Sequence, residues 1–338
     1  MRYTFATLSM LVILALMTGF MSTSESGSSE AAGIPVIIDT DANNELDDQH
    51  ALAYLLLNDE AFDVIGITVN ATHGGGEVGE HMKEAQRVVD LVGWKRKVAV
   101  IKGANGNFPE IREQLDQPDF DGSEAVDFII EEAMKKRKEA LVLLPIGKLT
   151  NVALALEKKP AIAKRIRIVW LGANYPDPGE YNLDNDTASM NYILKCDVPF
   201  EMVTVRYGQP SGTAAVKVAR RDIYTRMPGL GPVVEEAVTG RHGGSFNSFG
   251  DYSIDLFKHI HHLEDGCFRS LFDLAAVAIV KDPSWAEATE IPSPIYIENA
   301  WVEQEGNSRK IIVWENFNKD AILADFYNTL ENSQGAVQ

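Results

Sequence analysis

The sequence contains little cysteine and little positive charge. Only Cys196 and Cys267 occur among 338 residues, which is too few for a disulfide framework. The chain has 31 Lys and Arg residues against 49 Asp and Glu residues. The resulting formal charge of −18 argues against nucleic acid or an anionic membrane surface as a partner. An acidic chain can still bind a neutral small molecule or a metal cation, and these are the ligands that we expect.

Long hydrophobic runs are also scarce, and the one long run stands at the N-terminus. The opening MRYTFATLSMLVILALMTGFM has one Arg before an apolar stretch, and the polar STSESGSSEAAG follows it. These features predict a signal peptide over residues 1–22 and a disordered linker over residues 23–33, with an uncleaved membrane anchor as the alternative. We therefore expect a protein that is exported to the periplasm or the extracellular space, with no membrane association after signal removal.

From Ile34 onward, short apolar runs alternate with amphipathic stretches. Buried strands rich in Val and Ile that alternate with helices are typical of an α/β fold with a largely parallel sheet and helices on both faces. We predict a single domain over residues 34–334. The predicted strands are residues 34–39, 63–69, 97–103, 140–147, 166–174 and 200–205. The predicted helices include residues 79–93, 124–139 and 320–332, and residues 210–265 are expected to form surface helices and loops.

Polar residues accumulate where three of these strands end. The first strand leads into four aspartates within ten positions, the fourth into PIGKLTN and the fifth into GANYPDPGEYNLDND. Ligands of parallel sheets bind at the carboxyl ends of the strands, so these segments predict one common site. The four aspartates are Asp39, Asp41, Asp47 and Asp48.

Three general interpretations compete for the aspartate cluster. An EF-hand calcium loop would use Asp39, Asp41 and Asn43, but Asn44 replaces its Gly and His50 replaces its Glu. A haloacid-dehalogenase-type phosphatase also has Asp-x-Asp after a strand, but the usual Gly-Thr or Gly-Val continuation is absent. Favourable charges at a helix N-terminus account for one or two of the acids, although not for four.

Four motifs follow one another along the chain: DTDANNELDD after a strand, IGKLTNVALAL, GAN followed by EYN, and LFDLAAVA. Together they resemble the inosine–uridine nucleoside hydrolase family. Members of that family carry an Asp-x-Asp...Asp-Asp cluster, a Gly-Pro-Leu-Thr-Asn turn, a Glu-Phe-Asn triplet and a late Asp that opens a helix. The resemblance covers Val36 to about Val277. It implies that the domain is a nucleoside hydrolase-like catalytic domain built on a Rossmann-like open sheet.

The chain departs from the family pattern at four places. The gap between Asp41 and Asp47 is two residues longer than in the best-known members, which resembles a variant branch of the family. Lys148 stands where Pro is usual, and NATHGGG replaces a short Gly-Asn loop. Phe272 precedes Asp273 where many members have His. The ribose end of the site therefore matches the family, whereas the leaving-group end does not.

The resemblance implies a Ca²⁺ site and assigns its ligands. These are Asp41, Asp48, Asp273 and the backbone carbonyl of Ile146. Asp41 is also implied as the general base that activates a Ca²⁺-bound water for attack on C1′ of the ribose. The residues implied to hold the ribose hydroxyls are Asp47, Asn174, Glu180 and Asn182.

The acid that protonates the departing base is open, because a phenyl ring cannot replace the usual His. His73 and His242 lie in Gly-rich loops, and His73 is our choice for this role; the other alternative is ribose activation alone. Most of the remaining histidines are expected on a solvated surface. We expect Asp39 to accept backbone N–H bonds, and Asp186 and Asn151 to serve in local helix starts.

The sequence thus predicts an exported, Ca²⁺-dependent hydrolase that cleaves the N-glycosidic bond of ribonucleosides. Its partner would be a small nucleoside and not a nucleic acid, and the resemblance suggests a homodimer or a homotetramer. Two alternatives are a non-catalytic nucleoside- or ribose-binding protein that keeps the metal ligands, and the phosphatase named above.

Overall fold

The structure, a computed structural model, describes Met1 and residues 33–44, 46–93 and 98–335. The predicted signal peptide after Met1 and the predicted linker up to residue 32 lie outside the described residues. Export and the proposed domain boundaries therefore stay predictions. Among the helices in the described ranges, none combines the length and the hydrophobicity that a membrane crossing requires.

Strands and helices alternate along the described chain. The strands are β1 (Ile34–Thr40), β2 (Phe62–Val69), β3 (Val100–Ile101), β4 (Leu141–Pro145), β5 (Ile166–Leu171), β6 (Phe200–Val203), β7 (Lys217–Ala219), β8 (Val238–Thr239), β9 (Ser245–Phe246), β10 (Phe268–Ser270), β11 (Glu287–Pro292), β12 (Ile295–Ile297), β13 (Ala300–Val302) and β14 (Lys310–Glu315). The helices are α1 (Asp47–Leu57), α2 (Val78–Leu91), α3 (Phe108–Ile111), α4 (Ser123–Met134), α5 (Thr150–Lys158), α6 (Tyr181–Asn185), α7 (Thr187–Ile193), α8 (Arg220–Arg226), α9 (Phe249–His259), α10 (Phe272–Lys281) and α11 (Lys319–Asn332).

An eight-stranded sheet in the order β11-β14-β6-β5-β4-β1-β2-β3 forms the centre of the fold. The pairings from β14 to β3 are all parallel, and only β11 pairs antiparallel, with β14. All six predicted strands lie in this sheet, which confirms the predicted α/β fold. The third is much shorter than predicted. At one edge, β11 exposes four of its six residues and carries Glu287, Glu290 and Pro292.

Helices cover both faces of the sheet, so alternate residues of each strand are buried in two separate cores. Val36 and Ile38 of β1 pack in one core with α1, α2, α10 and α11. Ile37 of β1 packs in the other core with α4, α5 and α7. A strand with both faces buried needs a continuous apolar sequence, and IPVII provides it.

Two helices differ in extent or position from the prediction. Helix α4 ends at Met134, before the predicted end at residue 139, and Lys135 is extended. Lys135 and Arg137 form ion pairs with Glu132 in the last turn of the helix. Helix α9 lies within residues 210–265, where surface helices and loops were expected. It buries Phe249 and Phe257 against His50, so that expectation is wrong for this helix.

Trp170 joins the ends of β4 and β5. Its side chain is fully buried, and its indole Nε1–H donates a hydrogen bond of 3.0 Å to the carbonyl oxygen of Gly147, just after β4. A Cβ at position 147 would stand 2.9 Å from Oδ1 of Asp41, so the chain passes very close to that aspartate. The indole thus fixes a segment that lies beside the predicted site.

We expect Trp170→Phe to lower the free energy of unfolding by roughly 1–3 kcal/mol. The substitution leaves the buried carbonyl of Gly147 without its donor. The measurement is urea unfolding followed by circular dichroism. Trp301→Phe is the matched control, because the indole N–H of Trp301 makes no hydrogen bond to the described residues. Equal losses in the two variants would contradict a role for the Trp170 hydrogen bond.

Candidate active site

A cavity of about 640 Å³ opens at the carboxyl ends of β1, β4 and β5. Seven of the predicted site residues line it: Asp41, Asp47, Asp48, Ile146, Glu180, Asn182 and Asp273. They come from the β1–α1 connection, the ends of β4 and β5, and the first turns of α1, α6 and α10. Residues more than 200 positions apart in the sequence therefore meet at one place.

Asp41 is buried and is held through one of its two oxygens. Its Oδ2 accepts hydrogen bonds from Oγ1 of Thr72 at 2.5 Å and from Nδ2 of Asn44 at 3.2 Å. Burial, together with the nearby charge of Asp47, raises the pKa of Asp41 to about 6. No hydrogen bond from the described residues reaches Oδ1, which leaves that oxygen for a ligand.

Asp48 and Asp273 are buried carboxyl groups with strongly raised pKa values. Thr40 donates a hydrogen bond of 2.5 Å to Oδ1 of Asp48. Burial, and then repulsion by the neighbouring aspartates, raises the pKa of both carboxyl groups well above the usual range. Ionised carboxylates in such a place need a counter-charge, and a hard cation with oxygen ligands supplies it. The donor set therefore fits the predicted divalent metal.

The three aspartates surround a volume and do not converge on a point. In the described ranges, only His242, Asp255 and His259 form a group of three potential metal ligands with one atom each within 4.8 Å of the others. Asp41, Asp48 and Asp273 are spaced more widely.

Asn182 joins the ends of two strands through its amide group. Its Nδ2 donates to the carbonyl oxygens of Ile146 at 2.9 Å and of Leu171 at 3.0 Å. The carbonyl of Ile146 is the predicted backbone ligand, and it has a second lone pair available to a cation. Asn182 therefore fixes the orientation of this carbonyl.

Glu180 is the N-cap of α6 and is buried at the cavity wall. Its Oε2 accepts backbone N–H bonds from Ala173 at 3.0 Å and from Leu183 at 2.9 Å. Burial raises the pKa of Glu180 to about 7. Its other oxygen is not used by these bonds, so one carboxylate group can serve the helix and a ligand at once.

Two predicted residues do not line the cavity. Oδ1 of Asn174 accepts a bond from the backbone N–H of Tyr207 at 2.8 Å, and its Nδ2 donates to the carbonyl of Pro178 at 3.3 Å. His73 is exposed, and its backbone N–H donates to Oδ1 of Asn185 at 2.7 Å. Their proposed roles in substrate binding and proton transfer stay predictions.

Asp39 differs from the expectation. It accepts side-chain bonds from Thr68, Asn70 and Asn151 at 2.5–2.7 Å, and not bonds from backbone N–H groups. Asn151 also differs, because it bonds Asp39 and the backbone of Val69 and does more than start its own helix. This network occupies both oxygens of Asp39, and Asp39 does not line the cavity. In a phosphatase of the haloacid-dehalogenase type, Asp39 would have to be the nucleophile, so both observations disfavour that interpretation.

Asp186 caps α7 as predicted and has additional partners. Its carboxylate accepts bonds from the backbone N–H of Ser189 at 3.1 Å, from Phe108 at 2.7 Å and from the hydroxyl of Thr150 at 2.6 Å. Lys148, which stands at a usual Pro position, is buried and donates to three oxygens of residues 105–107 at 2.7–3.0 Å. Both side chains hold loops around the site.

Two of the remaining histidines are buried. His50 bonds the carbonyl of Leu46 and the hydroxyl of Ser253, and burial lowers its pKa to about 4. Nδ1 of His81 accepts a hydrogen bond of 3.2 Å from the backbone N–H of Asn43. His259, His261 and His262 are exposed, as expected.

Sequence reasoning missed several residues of the cavity wall. Arg269 forms an ion pair of 3.0 Å with Asp47, and nothing in the local sequence indicates this long-range partner. Tyr181, within the EYN motif, completes a chain of hydrogen bonds: its hydroxyl lies 3.3 Å from Oγ1 of Thr72, which in turn donates to Asp41. The one indication in the sequence was that Tyr181 stands where the family triplet Glu-Phe-Asn has Phe, which adds a hydroxyl group at this position.

Comparison with known proteins gives consistent results. The family model for inosine-uridine preferring nucleoside hydrolases matches residues 36–325. An uncharacterised protein of Schizosaccharomyces pombe is 26% identical, over 59% of this chain and 69% of that protein. The inosine-uridine preferring nucleoside hydrolase of Leishmania major is 24% identical, over 57% of this chain and 56% of that protein.

The fold has close structural relatives as well. A plant nucleoside hydrolase superposes with a TM-score of 0.68 at 18% identity, covering 88% of this chain and 99% of the plant chain. At that identity, the similarity shows a shared fold. Because the family model spans most of the chain and includes the whole cavity wall, the chain belongs to the inosine-uridine preferring nucleoside hydrolase family and is an enzyme of its metal-dependent ribonucleoside hydrolase class.

Proposed function

We propose that this chain hydrolyses the N-glycosidic bond of ribonucleosides, with Ca²⁺ as its metal, and releases ribose and the free base. The observation that carries the proposal is the meeting of Asp41, Asp48 and Asp273 in one cavity with Glu180 and Asn182. Buried oxygen ligands around a cavity of about 640 Å³ suit a neutral, hydroxyl-rich small molecule. The seven acidic residues of the wall outnumber Lys217 and Arg269, which disfavours a phosphorylated substrate.

Asp41, Asp48, Asp273 and the carbonyl of Ile146 would hold the cation. When bound, Ca²⁺ supplies positive charge that can orient vicinal ribose hydroxyls and acidify a water. The donor set consists of oxygens alone and comes from loops and helix starts, which suits the flexible coordination of Ca²⁺ better than the near-ideal octahedron that the smaller Mg²⁺ demands.

Asp41 is the proposed general base. A carboxylate accepts the proton of the attacking water most effectively when its pKa lies close to the working pH, and burial already moves Asp41 in that direction. Its bonds to Thr72 and Asn44 use Oδ2, so Oδ1 is free to take the proton.

The remaining acidic wall stabilises the reacting sugar. Positive charge develops on the ribose as the bond to the base breaks, as in glycoside hydrolysis generally. Asp47 and Glu180 would place negative charge near it, and Asn182 would bind a ribose hydroxyl. Asn174 is proposed as a further ribose ligand that joins the wall by releasing its loop contacts.

Removal of Ca²⁺ should abolish nucleoside turnover and lower the unfolding temperature. A metal that binds only the native state adds about 2.7 kcal/mol of stability at 100 times its dissociation constant. Turnover and thermal unfolding are measured after chelation and again after Ca²⁺ is restored, with Mg²⁺ as the control ion. Full activity in a preparation that metal analysis finds free of metal would contradict the proposal.

Asp41→Asn should lower kcat by about 100-fold or more, the scale of lost general-base assistance. The experiment compares steady-state kinetics of the variant and the wild type with Ca²⁺ present, and checks that the variant still binds Ca²⁺. Asp265→Asn is the matched control, since it neutralises another carboxylate of the same cavity wall. Near-native kcat in a metal-loaded Asp41→Asn enzyme would show that the base is a different group.

His73→Ala tests the proposed leaving-group acid. Natural nucleosides should slow by roughly 10²–10⁴, the range that general acids contribute, whereas a nitrophenyl riboside needs no protonation and should change little. The two substrates are compared in the variant and the wild type. Equal slowing of both would make His73 structural, and no slowing of either would direct attention to His242 or to a reaction without a protein acid.

A further inference from the structure

A second cluster of metal-ligand side chains lies away from the acidic cavity. His242 stands in the turn between β8 and β9, while Asp255 and His259 stand four residues apart in the second half of α9. One ligand atom of each lies within 4.8 Å of the other two. None of the three lines the cavity described above. The cluster therefore needs an explanation of its own.

The geometry of the cluster leaves a carboxylate oxygen without a hydrogen-bond donor. Oδ2 of Asp255 is shielded from solvent and accepts no hydrogen bond from the described residues, yet it lies 3.7 Å from Nδ1 of His242. Oδ1 of the same carboxylate lies 3.5 Å from Nδ1 of His259. The two imidazole rings stack with centroids 4.2 Å apart. A shielded, unsatisfied carboxylate oxygen is costly, and a bound cation would remove that cost.

We propose that His242, Asp255 and His259 form a binding site for Zn²⁺, distinct from the Ca²⁺ site of the cavity. Two imidazole nitrogens and one carboxylate oxygen suit zinc, which takes a water as its fourth ligand when only three protein ligands are present. Ca²⁺ prefers oxygen ligands alone, so the two sites separate the two metals by ligand type.

The distances require only small adjustments. Ligands of a tetrahedral zinc ion with bonds of 2.0–2.2 Å lie about 3.3–3.6 Å apart. The separation of 3.7 Å between Oδ2 of Asp255 and Nδ1 of His242 is already close to this range. Nδ1 of His259 lies 2.9 Å from the backbone carbonyl oxygen of Asp255, so Nε2 of His259 is the atom that would bind the metal. His242 and His259 are 29% and 44% exposed, so both rings can turn and a water can reach the metal.

The surroundings of His242 favour its neutral form. Burial, and then the positive charge of Arg241, lowers the pKa of His242. A neutral imidazole is the form that binds a metal. Arg241 also opposes the approach of a cation, whereas the charge of Asp255 attracts it.

A metal here would cross-link two elements of the fold. It would join the β8–β9 hairpin to α9, which already contact each other through the rings of Phe246 in β9 and Tyr252 in α9. His242 also borders a small cleft with Asn43, which belongs to the aspartate loop between β1 and α1. Zinc would therefore fix the turn that flanks this loop, without entering the active site.

Zinc binding can be measured on the full chain by isothermal titration calorimetry and thermal unfolding. Ca²⁺ is kept at saturation so that the acidic cavity is filled. We expect one Zn²⁺ per chain and a rise in the unfolding temperature. His259→Ala should weaken zinc binding by about 100-fold or more, because even partners outside the first ligand shell contribute about 10- to 100-fold.

Two further variants make the result specific. Asp255→Asn should also lose zinc binding while keeping the shape of the side chain. His262→Ala is the matched control, because His262 is an exposed histidine three residues beyond His259 and outside the cluster. The proposal is overturned if the wild type binds no zinc, if Asp255→Asn and His259→Ala bind it as the wild type does, or if His262→Ala loses it equally.

Discussion

Mutual repulsion among buried carboxylates is the constraint on which the rest of this structure depends. Asp41, Asp48 and Asp273 lose hydration and face one another across a cavity that they share with Asp47. The free energy that this arrangement costs has to be offset by the rest of the fold. The two apolar cores on either side of the sheet provide the bulk of that stabilisation. Electrostatic repulsion is thus concentrated at one site of a well-packed molecule, and a bound cation would reduce it.

Neutral hydrogen-bond networks keep these acids in position. Asp39 connects β1, β2 and α5 through Thr68, Asn70 and Asn151. Asn182 spans the ends of β4 and β5, and Trp170 fixes the chain after β4. Each of these side chains crosses from one strand end to another. The strand ends at the carboxyl edge of the sheet are therefore cross-linked by hydrogen bonds, and the carboxylates of the cavity wall stand on these ends.

The sequence predicted much of this arrangement because its strongest patterns are local. The apolar run of β1 and the acids after it are adjacent in the chain, so the strand, the site and its edge of the sheet followed from one segment. Partners far apart in sequence left no such pattern. The pairing of Asp47 with Arg269 and the burial of His50 against Phe249 and Phe257 depend on tertiary packing.

Loop residues were the least predictable. Asn174 has the correct spacing from Glu180, yet its side chain bonds its own loop and the backbone of Tyr207. The amide group of Asn satisfies local turns and ligands equally well, so spacing alone does not distinguish the two uses. Glu180, by contrast, caps a helix at the end of β5, and that requirement fixed its position.

The outer strands of the sheet have a consequence for how this protein behaves at high concentration. An open parallel sheet exposes unpaired backbone groups at its two borders, which another chain can extend by adding a strand. Here one border is the two-residue β3, and the other is the antiparallel β11 with Glu287, Glu290 and Pro292. A short edge strand offers few free backbone N–H and C=O groups. Like charges and a proline hinder the pairing of a strand from another chain. Both borders of the sheet thus carry features that hinder the addition of a strand from another chain.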